Sequence, residues 1–282
     1  MANILLFGRD GQLGRALFAP LSTLGTVTAL GRTEADFNDP EMVRATIRDL
    51  QPQVIVNAAA YTAVDRAESE PQIAMTTNAV SVGVLGEAAA RIGARVIHYS
   101  TDYVFDGEKA APYVEADAPA PLNVYGESKL VGENALLGAG ADAIILRTSW
   151  VYAAGGRNFV HSMLRIGRER NQVRVVDDQI GAPTSAEDLA AATVELLSGG
   201  KWQRGLYHAT STGETSWAGF ARAIFTLAEL PTLVVPISTA DYSTPARRPR
   251  NSRLNCEKLQ RDFAVHLPDW RTSLARTIQS FS

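Results

Sequence analysis

Tyr125 and Lys129 lie four residues apart in the run Asn123-Val124-Tyr125-Gly126-Glu127-Ser128-Lys129. On a helix that spacing puts both side chains on one face. A phenol is a weak proton donor at its ordinary pKa of about 10, and a neighbouring ammonium lowers that value toward working pH. The same spacing also occurs in plain exposed pairs, so the pattern needs support from elsewhere. Upstream, the apolar run Ala94–His98 spills directly into Tyr99-Ser100-Thr101-Asp102-Tyr103-Val104-Phe105-Asp106-Gly107. Ser, Thr and Asp are ordinary turn formers at a strand exit. Beside Tyr125, however, a Thr101 hydroxyl could hold a carbonyl oxygen in line for proton delivery.

Phe7-Gly8-Arg9-Asp10-Gly11-Gln12-Leu13-Gly14 carries glycines at a spacing of three and three, between an apolar run and a helical pattern. Such a loop turns tightly and lets the backbone approach a pyrophosphate. The helix behind it offers free N–H groups and a partial positive charge. In this strand–loop–helix context the motif reads as a dinucleotide site, and a nicotinamide would supply hydride without any metal. An NAD-specific fold places Asp or Glu at the end of the second strand. Here Leu30-Gly31-Arg32 stands there, and Arg9 lies in the glycine loop, so NADPH is favoured with NADH possible. Ala58, Ala59 and Ala60 follow Asn57; they either pack helix on sheet or let a flat ring or ribose come close.

Arg247, Arg248, Arg250 and Arg253 crowd one short segment. Guanidinium groups make paired, charge-assisted bonds to a diphosphate, so the cluster reads as a diphosphate site or as a solvated surface loop. Trp150 offers a flat wall to a sugar ring, or simply core packing. Asp177-Asp178-Gln179 reads as a hydrogen-bonded turn, and the histidines show no metal-like clustering, so no metal is assigned.

The elements that must position these groups follow from periodicity. Strands are predicted at Asn3–Phe7, Thr26–Leu30, Val54–Asn57, Arg95–Ser100 and Ala143–Thr148. Helices fall between them at Gln12–Leu21, Pro40–Leu50, Gln72–Ile92 and Tyr125–Leu137. Asp39 as N-cap and Pro40 at the first helical position mark the second helix. The alternation implies an α/β fold of Rossmann type, a doubly wound parallel sheet covered on both faces. Further on, helices are expected at Phe159–Arg170, Ala186–Leu197 and Trp217–Glu229, with short strands at Val173–Val176 and Leu206–His208. The Pro-, Thr- and Arg-rich stretch from Leu230 to Arg253 reads as loops over a site. The expected division is a dinucleotide-binding domain over 1–150 and a smaller C-terminal substrate-binding lobe over 151–282, some segments of which return to the first.

Composition bounds the partners. With 46% hydrophobic and 20% charged residues the chain is an ordinary globular one, and its net charge of −3 argues against nucleic-acid or membrane-surface binding. Cys256 is the single cysteine, which excludes an internal disulfide. The N-terminus lacks a basic n-region, and no window is expected to approach the roughly 20 apolar residues of a membrane span. A cytoplasmic monomer or weak homodimer acting on a small molecule is expected.

The segments "GRDGQLG", "VIVNAAAYTAVDRAESEP", "HYSTDYVFDG", "PLNVYGESKL", "RTSWVYA", "DDQIGAPT" and "RRPRNSRLN" together resemble the dTDP-4-dehydrorhamnose reductases, a family of extended short-chain dehydrogenases/reductases. The resemblance spans nearly the whole chain. It implies reduction of a 4-keto nucleotide sugar by NADPH, with Thr101, Tyr125 and Lys129 catalytic and Tyr125 as proton donor. It further implies Gly8, Gly11 and Gly14, with Arg9, Gln12 and Leu13 between them, on the cofactor diphosphate side. Asp36 and Phe37 would lie by the adenine, Ala58–Ala60 by the ribose and nicotinamide, Asp102, Tyr103 and Trp150 by the sugar, and Arg248 first and Arg253 second by the substrate diphosphate. Some members hold Mg²⁺ between glutamates at a dimer contact; Glu187 matches one such position, but Ala16 replaces the other. Nucleotide-sugar dehydratases resemble Thr-Asp-Glu where this chain has Thr101-Asp102-Tyr103, which leaves one carboxylate where two are needed. Another nucleotide-sugar reductase or epimerase of the same superfamily is one remaining alternative; a non-catalytic NADP-binding subunit is the other, and the intact Thr101, Tyr125 and Lys129 weigh against it.

Overall fold

The computed structural model describes residues 2–281. In chain order the first half runs β1 (Ala2–Phe7), α1 (Gln12–Leu21), β2 (Gly25–Leu30), α2 (Pro40–Leu50), β3 (Val54–Asn57), α3 (Val64–Ala67), α4 (Pro71–Met75), α5 (Ser81–Ile92), β4 (Arg95–Thr101), α6 (Val124–Gly138) and β5 (Asp142–Thr148). Then follow β6 (Val151–Tyr152), α7 (Phe159–Glu169), β7 (Gln172–Val176), β8 (Ile180–Gly181), β9 (Thr184–Ser185), α8 (Ala186–Ser198), β10 (Gly205–His208), β11 (Thr215–Ser216), α9 (Trp217–Leu227), β12 (Leu233–Ile237), α10 (Glu257–Phe263) and α11 (Trp270–Gln279).

Six strands form one parallel sheet in the order β2-β1-β3-β4-β5-β10. Successive strand residues point to opposite faces, and the core divides accordingly. Ile4 and Leu6 pack with Leu17 and Leu21 of α1 and Leu189 and Leu196 of α8. Leu5 and Phe7 pack with Val43 and Ile47 of α2 and Val82 and Leu85 of α5 on the other face. α8 and β10 thus belong to the main sheet although they come late in the chain. A second core joins α7, α9 and α11 around Met163, Phe220, Phe225 and Trp270.

Three expectations need correction. Leu230–Arg253 is not all loop, because β12 lies parallel to β7; Pro236 hides it in sequence and is tolerated because β12 has a partner on one side only. The Gln72–Ile92 helix starts at Pro71 and changes to a π-helical turn over Thr76–Val80 before α5. Its bulge lets buried Asn78 accept from the Tyr61 N–H at 2.8 Å and donate to Ser128 Oγ at 2.9 Å. The same run, Pro71–Ile92, is by length and composition apolar enough to cross a membrane, against the expectation that no segment is. It is a core helix: Val82, Leu85, Ala88 and Ala89 are packed under the sheet.

Glu133 of α6 and Arg147 of β5 form a buried bidentate pair, each side chain 3% exposed, at 2.8 and 2.6 Å. The guanidinium lies 4.9 Å over the Phe105 ring. Removing one partner strands the other charge in the core. Arg147→Met should therefore lower unfolding free energy by about 3–5 kcal/mol, measured by urea denaturation. The double variant Arg147→Met/Glu133→Leu should recover most of that loss. A double variant as unstable as the single one would show that the cost lies in shape and not in the unpaired charge.

Candidate active site

The sheet order reverses between β1 and β3, and open α/β sheets bind ligands at such a point beyond the strand ends. The cleft there, about 220 Å³, is lined by Gly8, Gly11, Gly31, Arg32, Asp36, Phe37, Ala58, Ala59, Ala60 and Thr77. Its floor is backbone. Gly8 has φ +83°, and a Cβ on it would fall 2.6 Å from the Ala58 and Ala59 backbone; one on Gly14 would fall 2.0 Å from the Gly8 carbonyl oxygen. No side chain caps α1, so its first N–H groups remain available to an anion. A glycine cradle, an uncapped helix start and an alanine wall together fit a dinucleotide.

Gln12 and Leu13 stand behind this cleft. Gln12 Oε1 accepts from Asn158 at 2.8 Å and ties the glycine loop to α7, while Leu13 packs into the core. Arg9 is less free than its place in the loop suggests. Its guanidinium donates to the Ala29 carbonyl at 3.0 Å and pairs with Glu34 at 2.8 Å. Glu34 also accepts from the Gly31 N–H and the Thr33 hydroxyl, so a carboxylate does lie past the end of β2, two residues beyond Arg32, where the sequence pattern placed it. Arg32 lines the cleft and is exposed.

Thr101 ends β4, and Tyr125 and Lys129 lie on α6, which packs against it. Thr101 Oγ1 donates to Asp102 Oδ1 and accepts the Tyr103 N–H, both at 3.2 Å. Asn123 caps α6 by accepting from the Gly126 N–H at 2.8 Å, which fixes where α6 begins and so places Tyr125 in its first turn. Tyr125 is half-buried, and desolvation of its phenol pushes it up to about 12, with the Thr101 hydroxyl opposing the rise. The expectation that the Lys129 ammonium lowers it is not met. Lys129 is buried, which brings it down to about 8; its Nζ turns to the Tyr99 carbonyl at 2.7 Å and to His98 Nε2 at 3.3 Å.

Tyr103 meets Tyr125 edge to face at 5.8 Å between ring centres. Arg248, 22% exposed, is held in a bidentate pair by Asp65 at 3.0 and 2.8 Å. Both line a larger cleft of about 660 Å³ with Phe159, Met163, Gln179, Trp217 and Tyr242. Trp150 does not line it. It stacks on Trp217 at 3.7 Å and covers Gly181, where a Cβ would fall 2.7 Å from the indole, and it holds φ +49° to do so. A bulky residue in that region is strained, so the stack is built at a cost. Arg253 lies outside the cleft, its guanidinium bound by Asn251, Glu214 and the Ala110 carbonyl. Sequence reasoning missed Asp65, Glu34, Thr77 and Trp217; only Asp65 had a signal, its place in "AYTAVDRAESEP".

A parallel sheet with a dinucleotide cleft and a Thr–Tyr–Lys group at its rim defines a nicotinamide-dependent oxidoreductase of the short-chain dehydrogenase/reductase class. The family model described as "RmlD substrate binding domain" matches residues 1–282, and the chain belongs to that family, that of the dTDP-4-dehydrorhamnose reductases. It is 46% identical to the dTDP-4-dehydrorhamnose reductase of Burkholderia thailandensis, over 98% of both chains. To that of Escherichia coli K12 it is 47% identical, over 98% of this chain and 97% of the other. The crystal structure of the Bacillus anthracis enzyme in complex with NADP superposes with a TM-score of 0.95 at 34% identity, covering 99% of this chain and 100% of that one.

Asp102 is buried, its Oδ2 has no partner among the described residues, and burial raises its carboxyl to about 7. The unfolded value is about 3.9, so folding takes up a proton between the two values. The resulting loss of stability grows as pH rises from about 4 to 7 and is constant above. Asp102→Asn should raise Tm at pH 8 by about 3 °C and flatten the fall in Tm between pH 5 and 8. A variant that melts lower at both pH values would show that the carboxylate stabilises the fold.

Proposed function

We propose that this chain reduces dTDP-4-dehydro-β-L-rhamnose to dTDP-L-rhamnose, as a cytoplasmic monomer or weak homodimer using NADPH or, less selectively, NADH. The observation that carries the reading is the meeting of Thr101, Tyr125 and Lys129 beside a glycine-floored cleft, with Tyr103 in place of a second carboxylate. The nicotinamide, when bound, supplies the hydride to C4. Gly8, Gly11 and the start of α1 would hold the diphosphate, Asp36 and Phe37 the adenine end, and Ala58–Ala60 and Lys129 the ribose side. Tyr125 remains a protonated phenol across the working pH range because burial keeps its pKa high, so it is ready to give its proton to the C4 oxygen. Thr101 holds that oxygen within reach. In this reading residues 151–282 mainly bind substrate, with Arg248 toward the sugar-nucleotide diphosphate and Trp217 and Phe159 as apolar walls. The Trp150–Trp217 stack shapes the sugar end.

A dehydratase would need acid and base at once, and Tyr103, a phenol that burial keeps protonated, cannot serve as the base that a second carboxylate would supply. NADPH oxidation on addition of dTDP-4-dehydro-L-rhamnose tests the assignment, and a folded protein that binds NADPH but never turns over the sugar refutes it. Tyr125→Phe should lower kcat by about 10²–10⁴ with little change in NADPH affinity. Arg248→Ala should raise the sugar KM by about tenfold or more, since it removes charge-assisted hydrogen bonds. If NADPH binding weakens more than sugar binding, Arg248 does not face the substrate.

A further inference from the structure

Asn57, His98 and Lys129 lie in a row below the two clefts, on β3, β4 and α6, each 2% exposed or less. Asn57 and His98 are direct register partners in the sheet. Hydrogen bonds have a direction, and here it can be read from one end. The Ala59 N–H can only donate, so the Asn57 atom 3.1 Å from it is the amide oxygen. The amide nitrogen is then the atom 3.0 Å from His98 Nδ1, and it must donate. A neutral imidazole carries one proton, which therefore sits on Nε2. That nitrogen faces Lys129 Nζ at 3.3 Å. An ammonium has no lone pair to accept with, whereas an amine can accept from Nε2–H and still donate to the Tyr99 carbonyl at 2.7 Å. The row is satisfied throughout only with a neutral lysine.

We propose that His98 is a positioning residue: locked by Asn57 as the Nε2–H tautomer, it holds Lys129 as the neutral amine in the free enzyme. This rests on the reading of Lys129 as part of the reductase site. The other groups around Lys129 agree. Burial brings the lysine down to about 8 against the opposing pull of Glu133, and burial is also the leading cause that keeps His98 neutral. Glu133, one turn along α6, favours the ammonium, but both its oxygens are taken by Arg147 of β5. Tyr125, one turn back, and Tyr103 are neutral phenols, the Tyr99 hydroxyl is turned to Thr193, and Asp102 is itself raised toward neutrality by burial. The consequence for the reaction is that ligand hydroxyls replacing its present partners favour proton uptake by Lys129.

Two spectra decide this without an activity assay. Long-range proton–nitrogen correlation on nitrogen-15-labelled protein reads the tautomer of each of the 4 histidines, with the His98 signal assigned by its loss in His98→Gln. The expected result is a protonated Nε2 and a bare Nδ1 that do not change from pH 6 to 9; an Nδ1–H tautomer or an imidazolium overturns the proposal. Titration of carbon-13-labelled lysine should show Lys129 losing its proton below pH 8, with the amine predominating from there upward, well under the ordinary lysine value of about 10.4. Asn57→Asp, which can only accept, should turn the imidazole round and raise that midpoint by about one pH unit or more. His98→Gln, whose amide still offers an N–H, should leave it in place. The alkaline limb of the NADPH-dependent rate should move with the lysine midpoint in the same variants. A midpoint that is ordinary in the wild type, or unmoved in Asn57→Asp, refutes the inference. If the spectra are as expected but the sugar is not reduced, it is the proposed function that fails.

Discussion

The backbone of Gly8 lies against the backbone of Ala58 and Ala59, close enough that a single Cβ would fall 2.6 Å from it, and α1 closes on Gly8 in turn through Gly14. β1, β3 and α1 meet main chain to main chain, and that meeting is the floor of the dinucleotide cleft. Its position at the reversal of strand order is what leaves space above it. The parallel register then carries the geometry across the sheet, Phe7 opposite Asn57, Asn57 opposite His98, and Thr101 opposite Thr148. Thr101 reaches the rim because β4 continues past the point where β3 stops.

Above that floor, burial decides the protonation states more than charge does. Tyr125, Lys129, Asp102 and His98 all shift in the direction that favours the uncharged form, and in each case burial is the leading cause. This replaces the simple picture of an ammonium activating a phenol. A site of neutral, closely packed donors and acceptors suits a step in which one proton and one hydride arrive at a carbonyl, because no fixed charge has to be moved or shielded as they do. The full charges sit in pairs around it: Glu133 with Arg147 in the core, Asp65 with Arg248 at the larger cleft, and Glu34 with Arg9 past the end of β2.

The elements were largely legible because local rules determine them. The Gln12–Leu21 and Pro40–Leu50 helices, the latter capped by Asp39 and opened by Pro40, begin and end where capping and periodicity place them. The first five strands are within a residue of their apolar runs. What escaped has physical reasons too. Pro236 disguises β12 because an edge strand tolerates a proline that a central one would not. The π-helical turn at Thr76–Val80 answers to the needs of Asn78 and its partners on Tyr61 and Ser128, which no local pattern reports.

By itself the sequence determined the α/β alternation, the glycine loop and the Tyr125–Lys129 pair, because steric freedom at glycine and helical spacing act over a few residues. It also excluded a second carboxylate at position 103. Only the tertiary structure decided who meets whom: Asp65 with Arg248 across 183 positions, Glu34 with Arg9, Trp217 with Trp150, and His98 between Asn57 and Lys129. Those contacts join separate strands and loops, and whether a charge is free or paired, or a lysine an ammonium or an amine, depends on the partner that packing delivers.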